Sequence, residues 1–240
     1  MTTWPVILGL GFTLLAGAFV QSSIGFGLAV VAAPFVVTFA PELMPGSLLV
    51  TSFSLPVLQL LHAEADIAWR SLTWSVAGRL LLTPLGVAAV ALLSVRSISI
   101  GVAMLILVTV AASLTSWQVR NTPVTAVGAG GLAGISGTAT SIGGPFLALV
   151  LQHERPERLR ATLAAFFLLG AVISMVSLGL VGEFTRHQLL AGLTWVPFVL
   201  LGYAVAAPLR ARLSHSHLRS AVLGFCALAG AGILIRALIF

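Results

Sequence analysis

The chain reads as an all-α integral membrane protein made of two weakly similar halves. Three observations predict this. Hydrophobic residues form 59% of the chain and charged residues only 8%, with mean hydropathy +1.12; a soluble domain carries about 25% charged residues. Apolar runs long enough to cross a bilayer follow one another from end to end. One polar tripeptide interrupts such a run twice, as Ser23-Ile24-Gly25 and as Ser141-Ile142-Gly143.

Ten helical elements are predicted, at 4–20, 24–40, 44–62, 71–93, 97–118, 123–138, 141–152, 160–181, 187–207 and 218–238. A helix rises 1.5 Å per residue, so about 20 apolar residues span the hydrocarbon. The opening MTTWPVILGL lacks the basic stretch of a signal peptide and reads as the first membrane element. The second follows the break QSSIGFG at 21–27 and contains Ala33-Pro34. The fourth holds Arg79, Pro84 and Gly86. The seventh follows the break TATSIGGP at 138–145 and is too short to cross alone, so about 8–10 elements belong to the membrane. The eighth follows the sign-alternating HERPERLR, whose Glu154, Arg155, Glu157 and Arg158 are expected to pair weakly. The ninth contains Trp195 and the tenth Cys226. Trp4, Trp69, Trp74 and Trp117 fall near span ends, where aromatic belts form. Trp195 is deeper and is expected opposite Arg79.

The whole of 1–240 reads as one transmembrane domain, with halves at about 4–118 and 123–238. A shift of about 118 places the first Ser-Ile-Gly on the second. A shift of about 116 places Arg70 on Arg186, Gly86 on Gly202 and Arg96 on Arg212. Five elements per half would invert the second half relative to the first. Arginine placement favours that count. If the first two elements of each half cross or form a re-entrant hairpin, one side holds eight arginines and the other three. If each pair were one broken span, the ratio falls to seven against four. The positive-inside rule prefers the first arrangement, with both termini outside and the loops at 152–160 and 208–219 in the cytoplasm. Parity does not separate hairpin from crossing. With two hairpins, the Ser-Ile-Gly tips meet near the midplane and offer backbone N–H groups and helix N-termini to an anion.

Composition removes several function classes. The net charge of +6 comes from arginine alone, since the chain has no lysine. The arginines stand singly or in threes between apolar runs, which suits topology signals and lipid headgroups and excludes nucleic acid as a partner. Cys226 is the single cysteine, so neither a disulfide nor a thiolate metal site is expected. His62, Glu64 and Asp66, and separately His215 and His217, read as loop residues. No cofactor or metal is expected.

Candidate site residues cluster at the breaks. Gln21, Ser22, Ser23 and Gly25 belong to the first, and Thr138, Thr140, Ser141, Gly143 and Gly144 to the second. Their hydroxyls and amides suit an oxyanion; the same small residues also let membrane helices pack closely. Arg79 lies near the middle of its span, where a charge costs at least ~2.5 kcal/mol. It either faces a cavity and draws an anion, snorkels to an interface, or pairs with carbonyls freed by Pro84. No carboxylate lies at a span centre, so no proton-carrying acid is visible there.

The doubled small-residue motif, Gly144-Pro145 after the second break, Ala33-Pro34 after the first, and the overall length resemble the TauE/SafE-type transporters. The resemblance implies a multi-pass protein of the cell (inner or plasma) membrane. Its substrate would be a small anion such as sulfite, a sulfonate or a related sulfur anion, moved outward as a secondary transporter or facilitator. The bilayer and a small anion are the implied partners; a homo-oligomer is compatible with the sequence. Two alternatives come from other classes: a membrane scaffold subunit without transport, and an intramembrane enzyme. The enzyme reading lacks a deep His, Asp or Glu to activate Ser141.

Overall fold

A computed structural model describes residues 3–24, 27–62, 66–114, 119–209 and 215–239. Gly25, Glu64, Trp117 and Arg212, which entered the sequence reading, lie outside that set, as do the side chains of Ile24, His62, His215 and His217.

Ten α-helices follow in order: α1 (Trp4–Ile24), α2 (Leu28–Phe39), α3 (Gly46–His62), α4 (Trp69–Leu92), α5 (Val95–Leu114), α6 (Pro123–Thr140), α7 (Gly144–Val150), α8 (Pro156–Leu180), α9 (Arg186–Leu209) and α10 (His215–Ile239). A single 3₁₀ turn, Pro41–Leu43, joins α2 to α3, and the described residues contain no strand. Each expected element has a helix. Ser141-Ile142-Gly143 falls between α6 and α7, but α1 runs on through Gln21, Ser22, Ser23 and Ile24, so the first interruption begins later than expected. Among the described residues six helices (α1, α4, α5, α8, α9 and α10) have spans long and apolar enough to cross a membrane. Large apolar side chains such as Leu80, Leu81, Leu85, Leu180 and Leu228 are exposed. In water such a surface would aggregate; facing lipid it is the expected exterior.

The two breaks have similar shapes. In each, a long helix is followed by a short one that packs back on it. After the first break, Leu28 returns to Gly17 of α1, where an added Cβ would meet the Leu28 side chain at 3.3 Å. After the second, Gly143 returns to Ala133 of α6, with 3.2 Å between a built Cβ and that of Ala133.

Packing partners recur between the halves. α4 packs on α6, and α9 on α1. α3 packs on α8 and α5 on α10. α3 also packs on α9, and α4 on α8. Three apolar clusters result among the described residues. One gathers α1, α2, α3, α5, α9 and α10 around Leu14, Val36, Ile106 and Trp195; a second gathers α4, α6, α7 and α8 around Leu147, Leu151 and Phe166; a small third joins Leu49, Val87 and Leu178 of α3, α4 and α8. Trp195 does not face Arg79 as expected. Its indole N–H needs an acceptor when fully buried, and it donates to the Ile7 carbonyl of α1 at 2.7 Å.

The α4–α6 crossing depends on missing side chains. A Cβ on Gly78 or on Gly130 would run into backbone of the facing helix, at Val127 and Ser75 respectively. In lipid, helices gain little from the hydrophobic effect on meeting, so such close approach carries the association. Gly130→Leu is expected to lower unfolding free energy by at least about 2 kcal/mol through overpacking, measured by equilibrium unfolding in detergent. A wild-type value would show that the crossing is looser than described.

Candidate functional site: a buried arginine between two helix breaks

α4 carries a buried polar stripe. Ser71, Ser75, Arg79 and Thr83 recur every fourth residue and are all buried, as one face of a helix requires. Ser75 and Thr83 donate to the carbonyls of Ser71 and Arg79, so these hydroxyls are satisfied within α4. Arg79 is different. It is 3% exposed and turns away from the lipid, between α6 and α8.

The guanidinium lies in a slot floored by two glycines. A Cβ on Gly137 of α6 would stand 3.0 Å from Nη2, and one on Gly170 of α8 would overlap the guanidinium itself. On another side its Cζ lies 5.1 Å from the centre of the Phe166 ring, close enough for a cation–π attraction. Nη2 donates to Ser174 Oγ at 3.2 Å, and Ser174 Oγ shares a 2.7 Å hydrogen bond with Thr138 Oγ1. Nε is buried with no partner. Among the described residues no carboxylate lies within 4.0 Å of Arg79; the ion pairs present there both involve Arg158. A guanidinium offers five donors, and the described residues take up one. Among them the charge is enclosed, held in place and without a counter-ion.

A cavity of about 30 Å³ adjoins it, lined by Arg79, Gln21, Leu28, Ser141, Gly143 and Gly144, among others. That is room for about two water molecules. Both breaks reach it. At the first, the Gln21 side-chain oxygen accepts the Leu28 N–H, capping the start of α2, and Gly27 takes φ 49° to turn the chain. The positive end of α2, from Gly27 to Val30, lies along the cavity. At the second, Ser141 ends α6 in the left-handed region, φ 63° and ψ 7°, with its N–H on the Gly137 carbonyl. A non-glycine residue there is strained by roughly 1–2 kcal/mol, the kind of strain found at binding sites. Its hydroxyl donates to the Pro45 carbonyl at 3.1 Å, which leaves the Ser141–Gly144 backbone along the cavity.

The sequence-based candidates separate into three groups. Arg79, Gln21, Ser141, Gly143 and Gly144 line the cavity. Thr138 supports Arg79 through Ser174, and Thr140 caps the break by accepting the Ile142 N–H at 3.3 Å. Ser22 and Ser23 are buried with unpartnered hydroxyls and do not line the cavity; Gly25 lies outside the described residues. Sequence reasoning missed Gly137, Phe166, Phe167, Gly170 and Ser174. A usable signal existed for one pair, since Gly170 and Ser174 form a small-xxx-small step on α8.

The Arg79 contacts predict an effect of one hydroxyl. Ser174→Ala removes the one acceptor that the described residues offer the guanidinium and is expected to lower stability by about 1–3 kcal/mol. Thermal and chemical unfolding of the purified protein would check this, and an unchanged stability would mean the hydrogen bond contributes nothing.

The match to a family model covers residues 9–233, and the model is described as sulfite exporter TauE/SafE. Neither the curated proteins nor the solved structures compared with the chain gave a match. With nearly the whole chain inside one family model and six span-length helices among the described residues, the chain belongs to the TauE/SafE sulfite exporter family of membrane transporters.

Proposed function

We propose that the protein is a secondary transporter or facilitator that moves a small sulfur-containing oxyanion through the cavity beside Arg79. The observation that carries this reading is the buried, unneutralised guanidinium between two helix breaks. An anion in the cavity would find a cation with free donors and the positive end of α2. In the low-dielectric interior such charge-assisted bonds are strong. A guanidinium also suits the three oxygens of a sulfite-like group better than a point charge does.

Cavity size narrows the class. A space of about 30 Å³ has room for about two waters, less than a sulfite fills, so binding would need the walls to part, and by less for sulfite than for a longer organosulfonate. The paired packing of α4 with α6 and of α9 with α1 supports two inverted repeats meeting at the breaks. Rocking one repeat against the other would expose the cavity to either side in turn. All five described acidic residues lie outside the buried interior, so coupling through a buried carboxylate has no residue to use among them. Transfer driven by the anion's own gradient, or by its protonation state, fits this inventory. The family description points to export, and the arginine bias to a cell membrane with the loop at 152–160 inside.

The test is sulfite flux in proteoliposomes. Arg79→Gln should cut flux by about one to two orders of magnitude, the loss of charge-assisted bonds to the anion, while membrane abundance stays unchanged. Arg79→Lys should retain part of the rate. Full flux in Arg79→Gln would remove Arg79 from the path. No flux of any sulfur oxyanion in folded wild type, with assembly altered by changes at the breaks, would favour a scaffold subunit.

A further inference from the structure

A second hollow, of about 330 Å³, opens at the start of α4. Its walls include Arg70, Ser71 and Trp74 of α4, Asn121 ahead of α6, and Glu154 and Arg158 around the start of α8. A chain of polar contacts forms part of this wall. Asn121 Nδ2 donates to Ser71 Oγ at 2.9 Å and lies 3.5 Å from Glu154 Oε1. Arg158 Nε stands 3.7 Å from Glu154 and 3.6 Å from Asp66. The two carboxylates are thus both shared with Arg158.

Arg70 is exposed and has no such partner among the described residues. The first turn of α6 starts at the same rim, capped by the Thr122 side chain, and adds the positive end of a helix. Trp69 and Trp74 are exposed beside it, in the position indoles take at the membrane–water boundary. The hollow is therefore polar and interfacial, and beside the Glu154–Arg158 pair it carries the Arg70 guanidinium, which has no ion-pair partner among the described residues. It also shares an element with the central cavity. Ser71 lines the outer hollow and Arg79 the inner one, eight residues apart on one face of α4, or about 12 Å along its axis.

We propose that this hollow is a second oxyanion site, in which Arg70 holds a sulfite- or phosphate-like group at the membrane surface. Two sources carry that chemistry: the transported anion waiting at a vestibule, and the headgroup of an anionic lipid. The first source rests on the transport reading above; the second does not.

The experiment reads binding rather than flux, in protein whose central arginine has been removed. Arg79→Gln protein in detergent is titrated with sodium sulfite and, separately, with short-chain phosphatidylglycerol, following thermal unfolding. Arg70→Gln is then added, with Arg186→Gln as the exposed-arginine control. The expected result is a roughly tenfold loss of apparent affinity with Arg70→Gln, one charge-assisted bond's worth, and none with Arg186→Gln. A loss confined to sulfite identifies the transported anion, and a loss confined to the lipid identifies the headgroup; either, or both, supports the site. No binding of either probe, or equal binding in Arg70→Gln and Arg186→Gln proteins, overturns it. Because Arg79 is absent throughout, this outcome is independent of whether the central cavity carries the anion.

Discussion

A positive charge enclosed within a membrane protein must be compensated, and here no described protein group does so. Placing an arginine at mid-span costs at least ~2.5 kcal/mol. Arg79 meets one hydroxyl, one aromatic face and two glycines, but no carboxylate. The surrounding structure is organised around that residue. Gly137 and Gly170 exist as glycines where any side chain would displace it, and Thr138 fixes the hydroxyl it uses. The two breaks converge on the same cavity. On the proposed reading, the neutralising charge comes from outside as the anion.

The two halves use similar packing for different ends. Both pair a long helix with a short return helix, and both place the fourth element of one half against the first element of the other. Yet where α4 carries Arg79, the position in α9 matched by the repeat shift carries Trp195, tied to the Ile7 carbonyl. Between α1 and α9 the buried Trp195 indole fills the space, whereas α4 and α6 bring Arg79 and Gly137 to the cavity. This chemical asymmetry on similar frameworks leaves a buried cation on one side and a buried indole on the other.

Much of this was legible in the chain. Run length and hydropathy located all ten helices, because the bilayer imposes a fixed span and leaves little freedom. The Ser-Ile-Gly repeats located both breaks, since small residues there are what lets the chain fold back. The depth of Arg79 in its run marked it as the charge to explain. What escaped was lateral: which helix faces which. Gly137, Gly170 and Ser174 matter only because α6 and α8 flank α4, and a single chain without measured contacts does not disclose that. Nor did residue type separate Ser141, on the cavity, from Ser22 and Ser23, which are equally polar and more deeply buried. Trp195 was misplaced for a related reason. Its depth was readable, but its hydrogen-bond acceptor on α1 was not.

The most direct test is to locate the anion itself. Selenite has the shape and charge of sulfite and a strong anomalous signal, so crystals soaked with it would report the site without reference to activity. The account predicts an anomalous peak in the cavity between Gln21, Ser141 and Arg79, within hydrogen-bonding distance of the guanidinium. A well-ordered crystal with the cavity free of signal, or with selenite bound elsewhere in the membrane interior, would contradict it.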